Sequence, residues 1–487
     1  MDKKAFYITT TIPYVNAKPH IGFALEITQA DVLARYHQLL GKDVFFNFGT
    51  DEHGQKIYQK ALEEKKDPQA YVNEYAAKFD RLKIALNLSY NNFIRTTDPH
   101  HQEAAQKFWR RCKANGDIYK DRQKIKYCVG CELEKTDSEL DQNGRCPLHL
   151  NLKIEIFEED NYFFRFSKYQ KQLLDYYEKH PNFVRPNFRF KEIKKFVEAG
   201  LRDFSISRIK VKMPWGVDVP DDPDQVMYVW FDALVNYISA LGWPNDQEKF
   251  QKFWGTRENP KAIQAAGKDN LRQQTAIWQA MLLSAGLPQT KQIFIHGFII
   301  SGGQKMSKSL GNVIDPFEVV KKYGTDATRY YLLKEIHPFK DGDFSYQRFE
   351  EIYNSDLANG IGNLVQRVAK LAESARVKSQ ESKVKSQNYE EYDRLIDDFQ
   401  FNECLRLIWE KIAKVDKFID EKKPWELINN PDQNSLKEIL TNSINQIREI
   451  AILLKPFLPQ TAEKIETIFT AQKITAPEKP LFPRIAN

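Results

Sequence analysis

A parallel α/β sheet, interrupted by an inserted module and followed by an all-helical region, is the fold class this sequence predicts. Three observations predict it. Strand-like and helix-like apolar periods alternate over the first hundred or so residues. A cysteine cluster with short aromatic strands breaks that rhythm between residues 116 and 225, and past about residue 345 glycine and strand signals fade while helical periods continue. A chain of 487 residues exceeds what one hydrophobic core organises, so about two to four domains are expected.

The run Phe6-Tyr-Ile-Thr-Thr-Thr-Ile12 is β-branched and aromatic and ends at Pro13, which predicts a strand. From His20 onward, apolar residues recur at Ile21, Leu25, Val32, Leu33, Leu39 and Leu40 until Gly41, a helix with a glycine stop. Val44-Phe-Phe-Asn-Phe48 gives a second buried strand that breaks into Gly49-Thr-Asp51-Glu-His-Gly54. Strand, helix and strand imply a parallel βαβ unit, in which ligands sit beyond the carboxyl ends of the strands. The polar loops 13–20 and 49–54 both fall at that edge. The pattern resumes at Val226-Met-Tyr-Val-Trp-Phe231 and at Ile293 to Ile300, so the sheet is expected to be doubly wound around the insertion. The expected divisions are 1–115 and 226–300 for the two halves of the sheet domain, 116–225 for the insertion, 301–345 for a connecting subdomain and 346–487 for the helical region. In that last region a small direct repeat, Val377-Lys-Ser-Gln and Val384-Lys-Ser-Gln, marks a solvated loop between helices.

The charge balance of 72 Lys and Arg against 66 Asp and Glu leaves only +6, so contact with a polyanion is permitted but must be local. Nowhere do eighteen consecutive apolar residues occur, and the N-terminus has no cleavage-site pattern; a soluble, cytoplasmic protein with no membrane partner is expected. Five cysteines are too few for a disulfide framework. Three of them crowd into residues 128–146, where Cys128-x2-Cys131, a gap of fourteen residues and Cys146-x2-His149 form two chelating pairs suited to tetrahedral zinc. With all four positions filled by protein, such a metal is structural.

Lys305-Met306-Ser307-Lys308-Ser309 lies on a glycine-hinged loop directly after an apolar run. Two lysines on a mobile loop can follow charge from a triphosphate onto a departing pyrophosphate, and a solvated basic loop is the plainer reading. Pro19-His20-Ile21-Gly22 sets an imidazole and a close-approach glycine at a helix N-terminus, an electropositive place for phosphate; a helix cap is the alternative. Gly267-Lys-Asp269 follows a strand and can hold a ribose, and Asp51 at a strand end can receive an amino group or close an ordinary turn.

These segments converge on a family. Pro13-Tyr14-x-Asn16-x2-Pro19-His20-Ile21-Gly22, Gly49-Thr-Asp51-Glu-His53-Gly54, Tyr228-Val-Trp230-Phe-Asp232-Ala233-Leu-x2-Tyr237, Tyr323-Gly-x-Asp326-Ala-x-Arg329-Tyr-Tyr and Lys305-Met-Ser-Lys-Ser309 all stand at the separations the family pattern has, and the chain resembles the bacterial-type class I methionyl-tRNA synthetases from residue 6 to about 460. The resemblance implies a Rossmann-like catalytic domain with a zinc-knob insertion and a C-terminal helical bundle that binds the anticodon. It implies activation of L-methionine by ATP to methionyl-adenylate, with pyrophosphate released, then transfer to the terminal ribose of methionine tRNA, initiator and elongator alike. His20, Lys305 and Lys308 would be catalytic, and with Gly22, Gly267 and Asp269 would bind ATP and its Mg2+. Ile12, Tyr14, Asp51, Trp230, Ala233, Leu234, Tyr237 and His296 would form the methionine pocket, with Asp51 on the ammonium. Cys128, Cys131, Cys146 and His149 would hold one structural Zn2+ per chain. Asn363, Arg367 and Trp425 would read the anticodon, two of them one helical turn apart and the third as a stacking surface. The lack of the C-terminal appendage of some relatives implies a monomer.

Two places depart from the pattern. Phe23 stands where a second polar residue, usually His, meets the nucleotide, and Gln264, Asn270, Gln273 and Gln274 replace the usual histidines and aromatic around Gly267-Lys-Asp269. Altered ATP handling is the expectation, and it admits two other readings: a catalytically impaired tRNA-binding module, or a class I synthetase of another specificity.

Overall fold

The structure, a computed structural model, describes residues 3–130, 133–135, 137–147, 152–306, 311–377, 389–429 and 433–485. The repeat at 377–380 and 384–387 lies outside the described residues apart from Val377. The elements that position the site run β1 (Ala5–Thr10), α1 (Ile21–Leu39), β2 (Asp43–Thr50), α2 (Gln55–Glu63), β3 (Asn92–Arg95), β4 (Ile118–Cys128), β5 (Glu155–Phe164), β6 (Val184–Arg185), α3 (Val229–Ala233), α4 (Asn236–Ser239), β7 (Ile263–Gly267), β8 (Gln292–His296), β9 (Ile299–Ser301), β10 (Gln304–Lys305), α5 (Thr325–Lys334), α6 (Asn363–Ser374) and α7 (Phe401–Lys422). They fall into two compact units. One comprises Met1–Lys18, Asp43–Arg81 and Tyr90–Ile295; the other comprises Pro19–Lys42, Leu82–Ser89 and His296–Asn487.

The first unit is built on a sheet ordered β3-β2-β1-β7-β8-β6. The β1–β2, β1–β7, β2–β3 and β8–β6 ladders are parallel, with Ile8 opposite both Phe46 and Ile263. Phe6, Tyr7, Ile8, Thr9 and Thr10 are all buried, as expected of a parallel strand covered on both faces. The run from β1 to β3 proceeds one way along the sheet and the run from β7 the other, so strand order reverses between β1 and β7. In open α/β sheets ligands bind at the carboxyl ends flanking such a switch point; here those ends are the loop after Thr10 and Gly267-Lys-Asp269. Between β3 and β6, strands β4 and β5 form a long antiparallel ribbon from Ile118↔Phe164 to Tyr127↔Glu155, and β6, inside the range expected to be an insertion, joins the main sheet instead. The unit's core is dominated by aromatics, with Trp109, Trp243, Trp254 and Trp278 fully buried.

In the second unit α1 carries an unusual number of buried polar groups, among them Glu26, Thr28, Gln29 and Asp31. Asp31 accepts from Arg35 at 2.8 Å and lies 2.7 Å from Arg329 of α5, both charges of the latter pair being fully buried. Burial pushes the Asp31 pKa up, and the two guanidiniums with the Ser89 hydrogen bonds outweigh it, holding the carboxyl below its ordinary range. Arg329 also donates to the carbonyls of Phe457, Leu86 and Pro456 at 2.7, 3.0 and 2.9 Å, so with Asp31 all three of its nitrogens are engaged. Among the described residues beyond 345 every regular element is helical, as the periodicity predicts, and the last helix ends at Thr470.

Candidate active site

At the strand ends of the first unit, two loops are laced together. Val15 N–H donates to the Asp51 carbonyl at 3.1 Å and Asp51 N–H to the Pro13 carbonyl at 2.9 Å, which sets Tyr14 beside Asp51 in a parallel bridge. Asp51 itself is only 8% exposed. Gly54, with φ 103° and ψ 169°, caps α2, and a Cβ there would stand 2.4 Å from the Tyr14 hydroxyl oxygen. No side chain other than glycine's fits.

Behind this loop lies a polar network that the sequence reading did not single out. Asp232 in α3 is fully buried; its two oxygens lie 2.9 Å from His53 Nδ1 and 3.1 Å from His101 Nε2, and His101 Nδ1 reaches the Ser239 hydroxyl at 2.8 Å. Burial alone pushes the Asp232 pKa up, but the two imidazoles hold the carboxyl below its ordinary range. Next to His53, Glu52 is buried and accepts from Arg95 at 2.7 and 2.9 Å, while Trp215 Nε1–H donates to the Glu52 carbonyl at 2.6 Å. The segment Asp51-Glu-His53 is thereby fixed to the helix that bears Trp230 and Ala233.

Along that helix and the next, Ala233, Leu234 and Tyr237 are buried and Trp230 is half-buried against the core. Gln274 Nε2–H donates to the Tyr237 hydroxyl at 2.7 Å and Gln264 Nε2–H to Gln274 Oε1 at 3.2 Å. Gln264, Gln273 and Gln274 are all buried, whereas Asn270 is half-buried and Asp269 is exposed just past β7. Gln264 and Gln274 thus sit behind Tyr237 in the first unit's interior. The expectation had set them against the nucleotide.

The second unit holds the phosphate-handling candidates. His20 is the N-cap of α1: Gly22 N–H donates to its Nδ1 at 3.1 Å. Nδ1 is therefore an acceptor, and the ring proton of the neutral imidazole resides on Nε2. Burial, then the nearby Lys305 charge, push the His20 pKa down to about 4, so at neutral pH the ring is an uncharged N–H donor. Phe23 packs on it with ring centroids 4.3 Å apart; the departing residue is a wall for the imidazole. Lys305 ends the β9–β10 hairpin, whose turn residues Gly302 and Gly303 have φ of 63° and 73°, the mirror-image turn that glycine favours. Its ammonium lies 5.2 Å from the Phe298 ring centroid, and Ile21 N–H donates to the Ile314 carbonyl at 3.0 Å, so the chain after the hairpin returns to the start of α1. Lys308, with Ser307 and Ser309, lies outside the described residues. His296 is buried and contacts Glu26 at 2.8 Å through Nε2.

The description "tRNA synthetases class I (M)" matches residues 6–155 and 143–369, and "Anticodon binding domain of methionyl tRNA ligase" matches 369–481. The chain belongs to the methionyl-tRNA synthetase family. It is 43% identical to methionine–tRNA ligase of Thermotoga maritima over 99% of this chain and 77% of that one, and 44% identical to that of Thermosynechococcus vestitus over 94% and 89%. Mycobacterium tuberculosis methionyl-tRNA synthetase in complex with methionyl-adenylate superposes with a TM-score of 0.90 at 35% identity, covering 99% of this chain and all of that one.

For a synthetase of this family the remaining motifs are placed as follows. Cys128 and Cys146 are buried, while Cys131 and His149 lie outside the described residues; among the described residues no group of three or more metal-ligating side chains forms. Asn363 and Arg367 share α6 one turn apart, the former exposed. Arg367 is already engaged, with Asp420 at 2.8 Å and Asp416 at 2.6 Å holding its guanidinium. Trp425 is 42% exposed on the turn that follows the left-handed Lys423, a flat surface and not a core residue. Among the described residues no helix is long and apolar enough to cross a membrane.

Proposed function

We propose that the chain is an ATP-dependent methionine–tRNA ligase that forms methionyl-adenylate, releases pyrophosphate and transfers methionine to the terminal ribose of its tRNA. The observation that carries the chemistry is His20, held neutral with its proton on Nε2 and accompanied by Lys305. A neutral donor at a helix N-terminus can bond an α-phosphate oxygen whose charge rises in the transition state, and the loop lysines take the pyrophosphate. Mg2+ accompanies ATP and neutralises part of its charge. Gly22 and Gly267 leave room for the nucleotide and Asp269 accepts from its ribose; Asp51 takes the substrate ammonium, and Ile12, Tyr14, Trp230, Ala233, Leu234, Tyr237 and His296 surround the thioether, whose sulfur gains about 0.3 to 1.5 kcal/mol against aromatic walls.

One Zn2+ on Cys128, Cys131, Cys146 and His149 would staple the insertion; the two described thiols are buried, which supports this donor set. Metal analysis of the purified protein should give one zinc per chain, and a chain without zinc would refute the assignment. Asn363, Arg367 and Trp425 read the anticodon of initiator and elongator tRNA. The exposed Trp425 supports stacking worth about 1 to 3 kcal/mol per base. The chain acts as a cytoplasmic monomer, which light scattering tests.

The deciding experiment is ATP–pyrophosphate exchange with each of the twenty amino acids. Methionine alone should respond; silence with all would favour a tRNA-binding module. Lys308→Ala should slow exchange roughly hundredfold or more, the loss of about 3 to 4 kcal/mol typical of one preorganised contact. Trp425→Ala should weaken tRNA charging and leave exchange nearly intact.

A further inference from the structure

The glutamines behind Tyr237 have a direction that can be read from one backbone group. Thr290 N–H can only donate, and it meets Gln279 Oε1 at 3.1 Å; Gln279 therefore turns its Nε2 to the Thr290 hydroxyl, 3.0 Å away, and to the Gln274 carbonyl, also 3.0 Å away. The Thr290 hydroxyl, accepting from Gln279, donates its own hydrogen to Gln264 Oε1, 2.7 Å away. Gln264 is thereby obliged to present Nε2 to Gln274 Oε1 at 3.2 Å, and Gln274 to present Nε2 to the Tyr237 hydroxyl at 2.7 Å. Each link pairs one donor with one acceptor, as the side-chain inventory requires. The Tyr237 oxygen is an acceptor in this chain, so its own hydrogen points elsewhere.

Thr290, Gln264, Gln274 and Gln279 are all at most 1% exposed, and none of them ionises. The ionisable groups that face them are phenols, with Tyr7 donating to the Tyr237 carbonyl and Tyr177 to the Thr275 carbonyl, each at 2.7 Å; burial pushes both far above neutrality. On the α3–α4 side the charged groups are Asp232 with His53 and His101. The family pattern has histidines in this stretch, groups that change from donor–acceptor to double donor near neutrality.

We propose that Thr290, Gln264 and Gln274 are positioning residues: a one-way, non-ionising hydrogen-bond relay that fixes the Tyr237 hydroxyl and so keeps methionine recognition independent of pH on the acid side of neutrality. The inference rests on Tyr237 belonging to the methionine pocket, and the experiment separates the two.

Methionine KM is measured by pyrophosphate exchange between about pH 4.5 and 8 for the parent and for Tyr237→Phe, Gln274→Met, Gln274→His and Gln264→His, with thermal melts to confirm folding and an NMR titration of the introduced imidazole to place its midpoint inside that range. The parent profile should be flat. Gln274→Met should raise methionine KM about three- to tenfold equally at every pH, the worth of one buried hydrogen bond. In Gln274→His, a neutral ring can accept from Gln264 and donate to Tyr237, whereas the protonated ring sets donor against donor. Its KM should match the parent near pH 8 and rise about three- to tenfold as the pH falls well below about 6.5, through an imidazole pKa that burial lowers. Gln264→His, which meets the fixed Thr290 donor, is the second chance should Gln274→His not fold. If Tyr237→Phe keeps the parental KM, the pocket assignment of Tyr237 fails. If Tyr237→Phe weakens methionine binding while the histidine variants stay flat with pH, or the parent profile is itself steep, the relay fails.

Discussion

Replacing Gly54 by alanine tests the methionine pocket at its most constrained point. The new Cβ would lie 2.4 Å from the Tyr14 hydroxyl oxygen, 3.4 Å from its Cζ and 3.5 Å from Val229 Cβ. Ordinary contact begins near 3.5 Å, so the Tyr14 hydroxyl must retreat by about 1 Å. The backbone adds its own penalty, because φ 103° with ψ 169° is a region that only glycine enters freely, at about 1 to 3 kcal/mol for another residue. Tyr14 bridges Asp51 and Val229 precedes Trp230, so the displacement reaches residues assigned to methionine and none assigned to phosphate. Methionine KM should rise between about fivefold and 150-fold, the equivalent of 1 to 3 kcal/mol, with ATP KM within about twofold of the parent. Pyrophosphate exchange measures both. Gly116→Ala is the comparator, because Gly116 has φ 73° and an added Cβ meets nothing within 4 Å; it should lower the melting temperature and leave methionine KM alone. Should the two alanine variants share a parental methionine KM, the steric link from Gly54 through Tyr14 to the substrate would be wrong.

Asp232→Asn keeps the shape but strands two imidazoles without their carboxylate, and urea unfolding should show a loss of about 3 to 5 kcal/mol. Because the Asp232 carboxyl is held below its ordinary range, its contribution is present above about pH 4 and lost as the pH falls through its folded value, so the variant's stability should fall less steeply on acidification there. His20 binds its proton less readily folded, at about 4, than unfolded, so its share of stability declines as the pH drops from about 6.5 towards that value. By NMR titration its ring should stay neutral at pH 6, and Lys305→Met, which removes the second cause of the depression, should move the midpoint upward. Arg329→Met removes one charge from a buried pair, and a loss of about 3 to 5 kcal/mol in unfolding free energy is expected, moderated by Arg35, which still faces Asp31.

Much of this was legible in the sequence because local chemistry and element type coincide there. The run before Pro13 is a strand, His20 caps the helix that the spacing predicts, and Gly302-Gly303 makes the hairpin that presents Lys305. Trp425 and Asn363 are at the surface where a nucleic acid can meet them. What escaped was pairing across long separations. His53 and Asp232 are 179 positions apart and each looks ordinary alone; a buried aspartate finds its counter-charges through the fold, and no period in the chain encodes them. Gln264 and Gln274 escaped for a related reason. A glutamine beside a nucleotide motif reads as a lost ligand until burial shows which way it faces. Arg367 looked like an open fork, and only the packing of α6 near α7 reveals the two carboxylates that hold it.

The buried Arg329 bears on where this protein can be cut. Sequence composition puts a boundary near residue 345, which invites a shortened chain that activates methionine without the tRNA-reading end. Such a fragment would keep Arg329 and lose the Phe457 and Pro456 carbonyls that receive its Nε and Nη2 hydrogens. A guanidinium deprived of acceptors in a dry interior is costly, and the residue it steadies, Asp31, lies in the helix that His20 begins. A working truncation would have to end beyond residue 457 or replace the Arg329–Asp31 pair together. The far end of the chain is thus a part of the scaffold for the first helix, whatever it does for tRNA.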